Sequence, residues 1–158
     1  MSQPYYRAET YTVRSSVGYL IKRSHALILE ALEPGLAAHD LTYMQFSVLM
    51  SLRDRIALNS RDICSLLRHD SGALTRVLDQ LERRALIERQ RSTADRRAVE
   101  LRLTERGRST VAGLVPMVVD TLNRELGGFS HAEIDELLRL LNKLISGMQD
   151  RAGGAAGA

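Results

Sequence analysis

Arginine supplies most of the chemistry available to this chain. Thr75-Arg76 lies in one segment, and a charged run from Asp95 through Arg96 and Arg97 to Gly107 lies in the next. A guanidinium is a planar fork of donors that keeps its charge and matches either a phosphate or the O6 and N7 edge of guanine. Residues 61–108 hold 12 Arg against 8 acids, an excess of +4 within a net charge of +3, so the remainder carries −1. Such clustering suits contact with a polyanion. It equally fits a solvated, arginine-preferring surface in a sequence that uses only two Lys, and charge alone does not choose between the two.

Other chemistries find little support. The four histidines, His25, His39, His69 and His131, are scattered, and no glycine-rich phosphate loop, metal-ligand spacing or nucleophile elbow occurs. Neither catalysis nor a cofactor is expected. The single Cys64 can form no internal disulfide, no apolar run reaches the length of about 18 that spans a membrane, and residues 1–6 lack the charged start and apolar stretch of a signal peptide. A cytoplasmic protein is the expectation.

The elements that must position these arginines are mostly helical. A length of 158 residues with 44% hydrophobic content suits one core, hence a single domain over residues 1–158, and three Pro, two Phe and no Trp favour aliphatic helix packing. Val13, Val17, Leu20, Ile21, Leu27, Ile28 and Ala31 recur at helical spacing and predict a first helix over residues 12–32, stopped by Pro34-Gly35. Thr42 with Gln45 forms a capping box for a second helix bearing Phe46, Leu49 and Met50. Asn59 or Ser60 caps a short third, with Ile63, Leu66 and Leu67 inside. Asp70 or Ser71 caps a fourth whose core face is Leu74, Val77, Leu78 and Leu81. Gly72, Ala73, Thr75, Arg76, Asp79, Gln80 and Arg83 then face outward.

After Arg84-Ala85 the period changes from helical to alternating. Leu86 and Ile87 lead to a charged tip, and Val99, Leu101 and Leu103 alternate with Glu100 and Arg102, which predicts two short antiparallel strands. Asp95 cannot favour DNA by its charge, so it is read as pairing with Arg97 or Arg96 and ordering the tip, while the arginine left outward reads a minor groove. Thr104 restarts a helix that runs to Gly127-Gly128, and Ser130 with Glu133 caps the last one. Residues 152–158 read as a disordered tail on composition.

Several of these pieces coincide with a known pattern. Leu41-Thr42 with Gln45-Phe46 and Leu49, Thr75-Arg76 with Leu81-Glu82 and Leu86-Ile87-Glu88-Arg89, and the run ending Leu101-Arg102-Leu103-Thr104-Glu105-Arg106-Gly107 resemble the MarR family of bacterial transcriptional regulators. The resemblance implies a winged helix-turn-helix with a two-stranded β-wing over residues 42–104. It also implies N- and C-terminal helices, residues 12–33 and 105–151, that form an all-α dimerisation region. Ser71, Gly72, Ala73, Thr75 and Arg76 would then face the major groove of double-stranded DNA. Asp95 and Arg97 match the family's wing pair with Arg97 at the tip, and Arg91 and Arg96 would touch phosphates. Ala85 departs from the pattern, since the family usually has Gly there: a left-handed backbone at that point costs Ala about 1 kcal/mol, and either the turn differs slightly or that cost is tolerated.

A homodimer on an inverted repeat follows from the resemblance, with the stripes on the first, fifth and sixth helices wider than a chain of this size needs; a monomeric bundle would use the same leucines. The resemblance also implies a small aromatic or phenolic carboxylate effector. Lys22 and His25, one turn apart on the first helix, would hold its carboxylate, and Tyr43, Met44, Phe46 and Met50 its apolar side. Tyr19, Arg23 and His39 are weaker candidates. In the bland reading Lys22 is a solvated charge, His25 an interface histidine and Phe46 ordinary core. Cys64 sits beside Ile63 and Leu66, which favours a structural thiol over a redox switch. The sequence thus predicts a homodimeric repressor released from a pseudo-palindromic operator by its effector. The alternatives are a redox-responsive regulator using Cys64 and a winged-helix interaction protein without specific DNA binding.

Overall fold

Capping groups open the helices where the sequence offers them. The computed structural model describes residues 4–67, 70–91 and 99–155, with side chains as far as Arg151. A 3-10 turn at Val13–Ser15 precedes α1, Val17–Ala37. The chain breaks helical form at Ser16, which has ψ 140°. Its Oγ accepts from the Tyr19 N–H at 3.3 Å and donates to the Val13 carbonyl at 2.8 Å. The Tyr6 hydroxyl oxygen accepts from the Val17 N–H at 2.9 Å, so α1 begins with its first donor satisfied.

Both predicted ends of the first helix are therefore corrected. It starts after Ser16, and it passes through Pro34 to Ala37. Proline forfeits one hydrogen bond inside a helix, yet the turn continues because the Ala38 N–H still reaches the Pro34 carbonyl at 3.1 Å. Termination comes at Asp40, whose φ of 54° is left-handed. The Leu41 N–H bonds to the Leu36 carbonyl and the Asp40 N–H to the Ala37 carbonyl, the paired bonds of a Schellman ending.

The next helix, α2, spans Tyr43–Arg53 and opens with the expected box. The Thr42 hydroxyl accepts from the Gln45 N–H at 3.2 Å, and Gln45 Oε1 accepts from the Thr42 N–H at 3.0 Å. It closes on Arg55 (φ 55°) with a second Schellman pair. Helix α3 is Ser60–Leu67, with Asn59 Oδ1 accepting from the Asp62 N–H. Helix α4 is Ser71–Arg83, capped by Asp70. Strands β1, Ile87–Arg91, and β2, Val99–Leu103, pair antiparallel in a register that sets Ile87 opposite Leu103 and Arg91 opposite Val99. A bond from the Leu101 N–H to the Leu58 carbonyl (2.7 Å) ties the α2–α3 loop to the outer edge of β2. Helices α5, Glu105–Glu125, and α6, His131–Ala155, complete a mostly α fold with a two-stranded wing. Helical backbone continues to Ala155, which corrects the expected tail for residues 152–155; residues 156–158 lie outside the described residues.

The chain divides into two compact units, Met1–Thr121 and Leu122–Ala158. In the first, Leu32 and Leu36 of α1, Phe46, Val48, Leu49 and Leu52 of α2, Ile63 of α3, and Leu74, Leu78 and Leu81 of α4 form one core. Leu86, Ile87, Leu101, Leu103, Val111 and Leu114 close it from the wing and α5. Burial of this aliphatic set is the main favourable term that holds the helix-turn-helix against the wing. In the second unit, Ser130 and Glu133 cap α6 reciprocally, with Ser130 N–H and hydroxyl both donating to Glu133 Oε2 at 2.8 Å. The hydrogen-bonded Ser130 backbone and hydroxyl hold the Glu133 carboxyl below the ordinary glutamate value.

Candidate nucleic-acid interface

The first turn of α4 is a small-residue platform. Asp70 Oδ1 accepts from the N–H groups of Gly72 and Ala73 at 2.9 and 3.1 Å, using two of the helix's orphan donors. Ser71, Gly72, Ala73, Thr75 and Arg76 are all exposed. The Thr75 hydroxyl donates back to the Ser71 carbonyl at 2.8 Å, which leaves its lone pairs as acceptors facing solvent. Arg76 makes no ion pair or side-chain hydrogen bond among the described residues. A free guanidinium one turn into a helix with a low, small-residue entrance can reach base edges or phosphate.

What aims this face was not read from the sequence. Asp79 and Gln80, expected to face outward with Arg76, are engaged by neighbouring elements. Arg89 on β1 pairs with Asp79 at 2.7 Å and with Glu82, a clamp between the wing and the back of α4. The hydrogen bond to Asp79 raises the Arg89 pKa above its ordinary value; burial opposes it, and the Glu82 and Asp79 charges add to the rise. Gln80 accepts from Gln45 Nε2 at 3.0 Å, so the residue that caps α2 through its oxygen holds α4 through its nitrogen. Arg84 donates to the carbonyl oxygens of Asp40 (2.5 Å) and His39 (3.4 Å), fastening the end of α4 to the α1–α2 corner.

At the junction between α4 and the wing, Ala85 holds φ 53° in a third Schellman ending, so of the two alternatives the turn keeps its left-handed form and the cost is tolerated. The Thr104 hydroxyl donates to the Ala85 carbonyl at 2.6 Å and accepts from the Gly107 N–H at 3.0 Å, so one side chain locks the turn and starts α5. Gly107 lies so near the Leu86 carbonyl that a Cβ there would sit 1.9 Å from its oxygen. Arg91 is exposed at the end of β1. Asp95, Arg96 and Arg97 lie outside the described residues.

Of the residues expected to hold an effector, three rings lie in succession. His25 and Tyr43 come together, ring centroids 6.0 Å apart and edge to face, and Tyr43 lies 6.0 Å from Phe46. Phe46 itself belongs to the core, and Met50 packs against it. Met44 is half-buried and Lys22 exposed. A cleft of about 510 Å³ opens between α1 and α2, and of the six expected residues only Tyr43 lines it. Cys64 is half-buried and lines a separate cleft with Ser71 and Thr75. Among the described residues no helix is long and apolar enough to cross a membrane.

Comparison with known proteins agrees with this geometry. The MarR family profile matches residues 41–99, from the α1–α2 corner to the start of β2. The chain is 37% identical over 123 residues to the HTH-type transcriptional regulator TtmR of Methylorubrum extorquens, an alignment that covers 78% of the chain and 60% of TtmR. It is similar to Bordetella bronchiseptica BpsR, whose DNA binding is regulated by 6-hydroxynicotinic acid, at 30% identity, a TM-score of 0.70 and coverage of 81% and 97%. It is also similar to a cysteine-to-serine mutant of MarR from E. coli complexed with operator DNA, at 29% identity, a TM-score of 0.70 and coverage of 81% and 92%. With its winged helix-turn-helix and these relatives, the chain belongs to the MarR family of transcriptional regulators.

Proposed function

We propose that the chain is a homodimeric repressor that binds a pseudo-palindromic operator. The observation that carries this reading is the exposed α4 platform, Ser71, Gly72, Ala73 and Thr75 around an Arg76 that is unengaged among the described residues, braced by Arg89, Gln45 and Arg84. A helix held at three points loses little conformational freedom on entering a major groove. Arg97 serves the minor groove with Asp95 ordering the tip, and Arg91 and Arg96 contact phosphates. Dimerisation is supported by apolar residues left uncovered at helical spacing. Val17, Leu20, Ile21 and Leu27 are exposed on α1, and Leu137, Leu138, Ile145 and Met148 on α6.

A gel-shift with competitor DNA at physiological salt tests the reading. Arg97→Ala weakens operator binding by about 1–3 kcal/mol while thermal stability is retained, and unchanged affinity would remove the wing from the mechanism. Release by a small aromatic or phenolic carboxylate at Lys22 and His25 completes the proposal. The His25–Tyr43 ring contact supports it, as does the response of BpsR to an aromatic acid. Hydroxybenzoates and pyridine carboxylates should raise the melting temperature of the wild type and not of Lys22→Ala or His25→Ala; no shift with any of them sinks the effector claim.

A further inference from the structure

We propose that Arg89 is a positioning residue for the wing: paired with Asp79 and Glu82, it fixes β1 against α4 and so sets how far the wing arginines stand from Arg76 on DNA. The proposal rests on the reading above that the wing arginines touch the duplex. Nη2 of Arg89 donates to Asp79 at 2.7 Å and Nη1 to Glu82, so one planar fork spans two carboxylates a turn apart on α4.

The same rung of the wing is held from its other side. Arg89 stands opposite the buried Leu101, whose N–H bonds to the Leu58 carbonyl at 2.7 Å. One cross-strand pair is thereby tied to α4 and to the α2–α3 loop at once. Arg91 lies two residues farther along β1 on the same face, about 7 Å beyond this fixed point. A hydrogen bond keeps its strength over only about 0.5 Å, so at that reach the strand must hold its angle to α4 within about 4° for Arg91 to meet a phosphate without rearranging while Arg76 stays engaged. Arg89 does not serve DNA directly. Its single positive charge against two carboxylates leaves a local charge of −1, and both terminal nitrogens already donate, so a phosphate would be repelled and would have to break an existing pair.

Operator affinity of the full chain, measured on the duplex that the wild type selects from random DNA, tests this through the non-additivity of paired substitutions. Arg89→Met weakens binding by about tenfold with unchanged circular dichroism, since exposed ion pairs contribute little to stability. The same substitution costs less than about twofold in an Arg91→Ala, Arg97→Ala background, and the full tenfold in Arg76→Ala. A second variant, Asp79→Ala with Glu82→Ala, removes two negative charges from a surface that meets a polyanion, yet weakens binding to the same extent as Arg89→Met. Were Arg89 itself a phosphate contact, that variant would free it and bind more tightly. Tighter binding there, wild-type affinity in Arg89→Met, or an undiminished Arg89→Met penalty in the wing background would each overturn the assignment while the wing reading stands. Wild-type affinity in Arg91→Ala with Arg97→Ala would remove the wing reading itself, and the assignment with it.

Discussion

Ala85 carries a left-handed φ of 53° at the point where α4 turns into the wing, and two other helices end the same way on Asp40 and Arg55. Aspartate tolerates this region because its short side chain can bond locally, whereas Ala has no such compensation and its Cβ crowds the following carbonyl. Ala85→Gly should therefore raise the unfolding free energy by about 0.5–1 kcal/mol in urea titrations. An unchanged or lower midpoint would mean that the strain is absent. Ala85 was legible in the sequence because a family usually glycine there makes alanine conspicuous. Arg55 was not, since nothing in its residue type marks a helix end, and Asp40 was hidden by the false stop that Pro34 offered.

The elements are held together by long side chains that reach across the fold. Gln45 spans α2 and α4, Arg84 reaches from the end of α4 to the α1–α2 corner, and Arg89 joins β1 to α4. Capping boxes at Thr42 and Ser130 could be read directly, because both partners lie within four residues. The Gln45–Gln80 bond spans 35 positions, and residue type gives no sign of it. Gln80→Ala leaves the Thr42 box intact and removes only the tie, so operator affinity should fall about fivefold with unchanged circular dichroism, the loss of one partly exposed hydrogen bond. Equal affinity would show that α4 is aimed without Gln45.

The second capping box gives a pH prediction. The folded-state pKa of Glu133 is lowered by its bonds to Ser130, so its contribution is present above the ordinary glutamate value of 4.5 and is lost as pH falls through the lowered one. Glu136, lowered by its hydrogen bond to Arg139, acts in the same direction. Glu133→Gln preserves the reciprocal cap without a titrating group, and its melting temperature should fall less steeply with acidification than that of the wild type. Parallel acid profiles would contradict this account of the α6 terminus.

For the molecule as a whole, the sequence was most informative where periodicity governs and least where tertiary ties do. The alternation of Val99, Leu101 and Leu103 placed β2, and the aliphatic stripes placed α1, α5 and α6. Those stripes stay largely uncovered on α1 and α6, which supports the proposed second copy and, with it, two copies of α4 on one site. The effector residues were least legible, because a ring such as Phe46 at helical spacing reads alike as pocket or core, and the fold put it in the core.

The most direct test of the central claim is selection of binding sites from random duplex DNA by the wild-type chain and by Arg76→Ala. The account predicts an inverted repeat whose half-sites lie about one helical turn apart, with a base position in each half-site whose preference relaxes by about 1–3 kcal/mol in the variant. An unrepeated site, no enrichment, or identical sites for both proteins would contradict it.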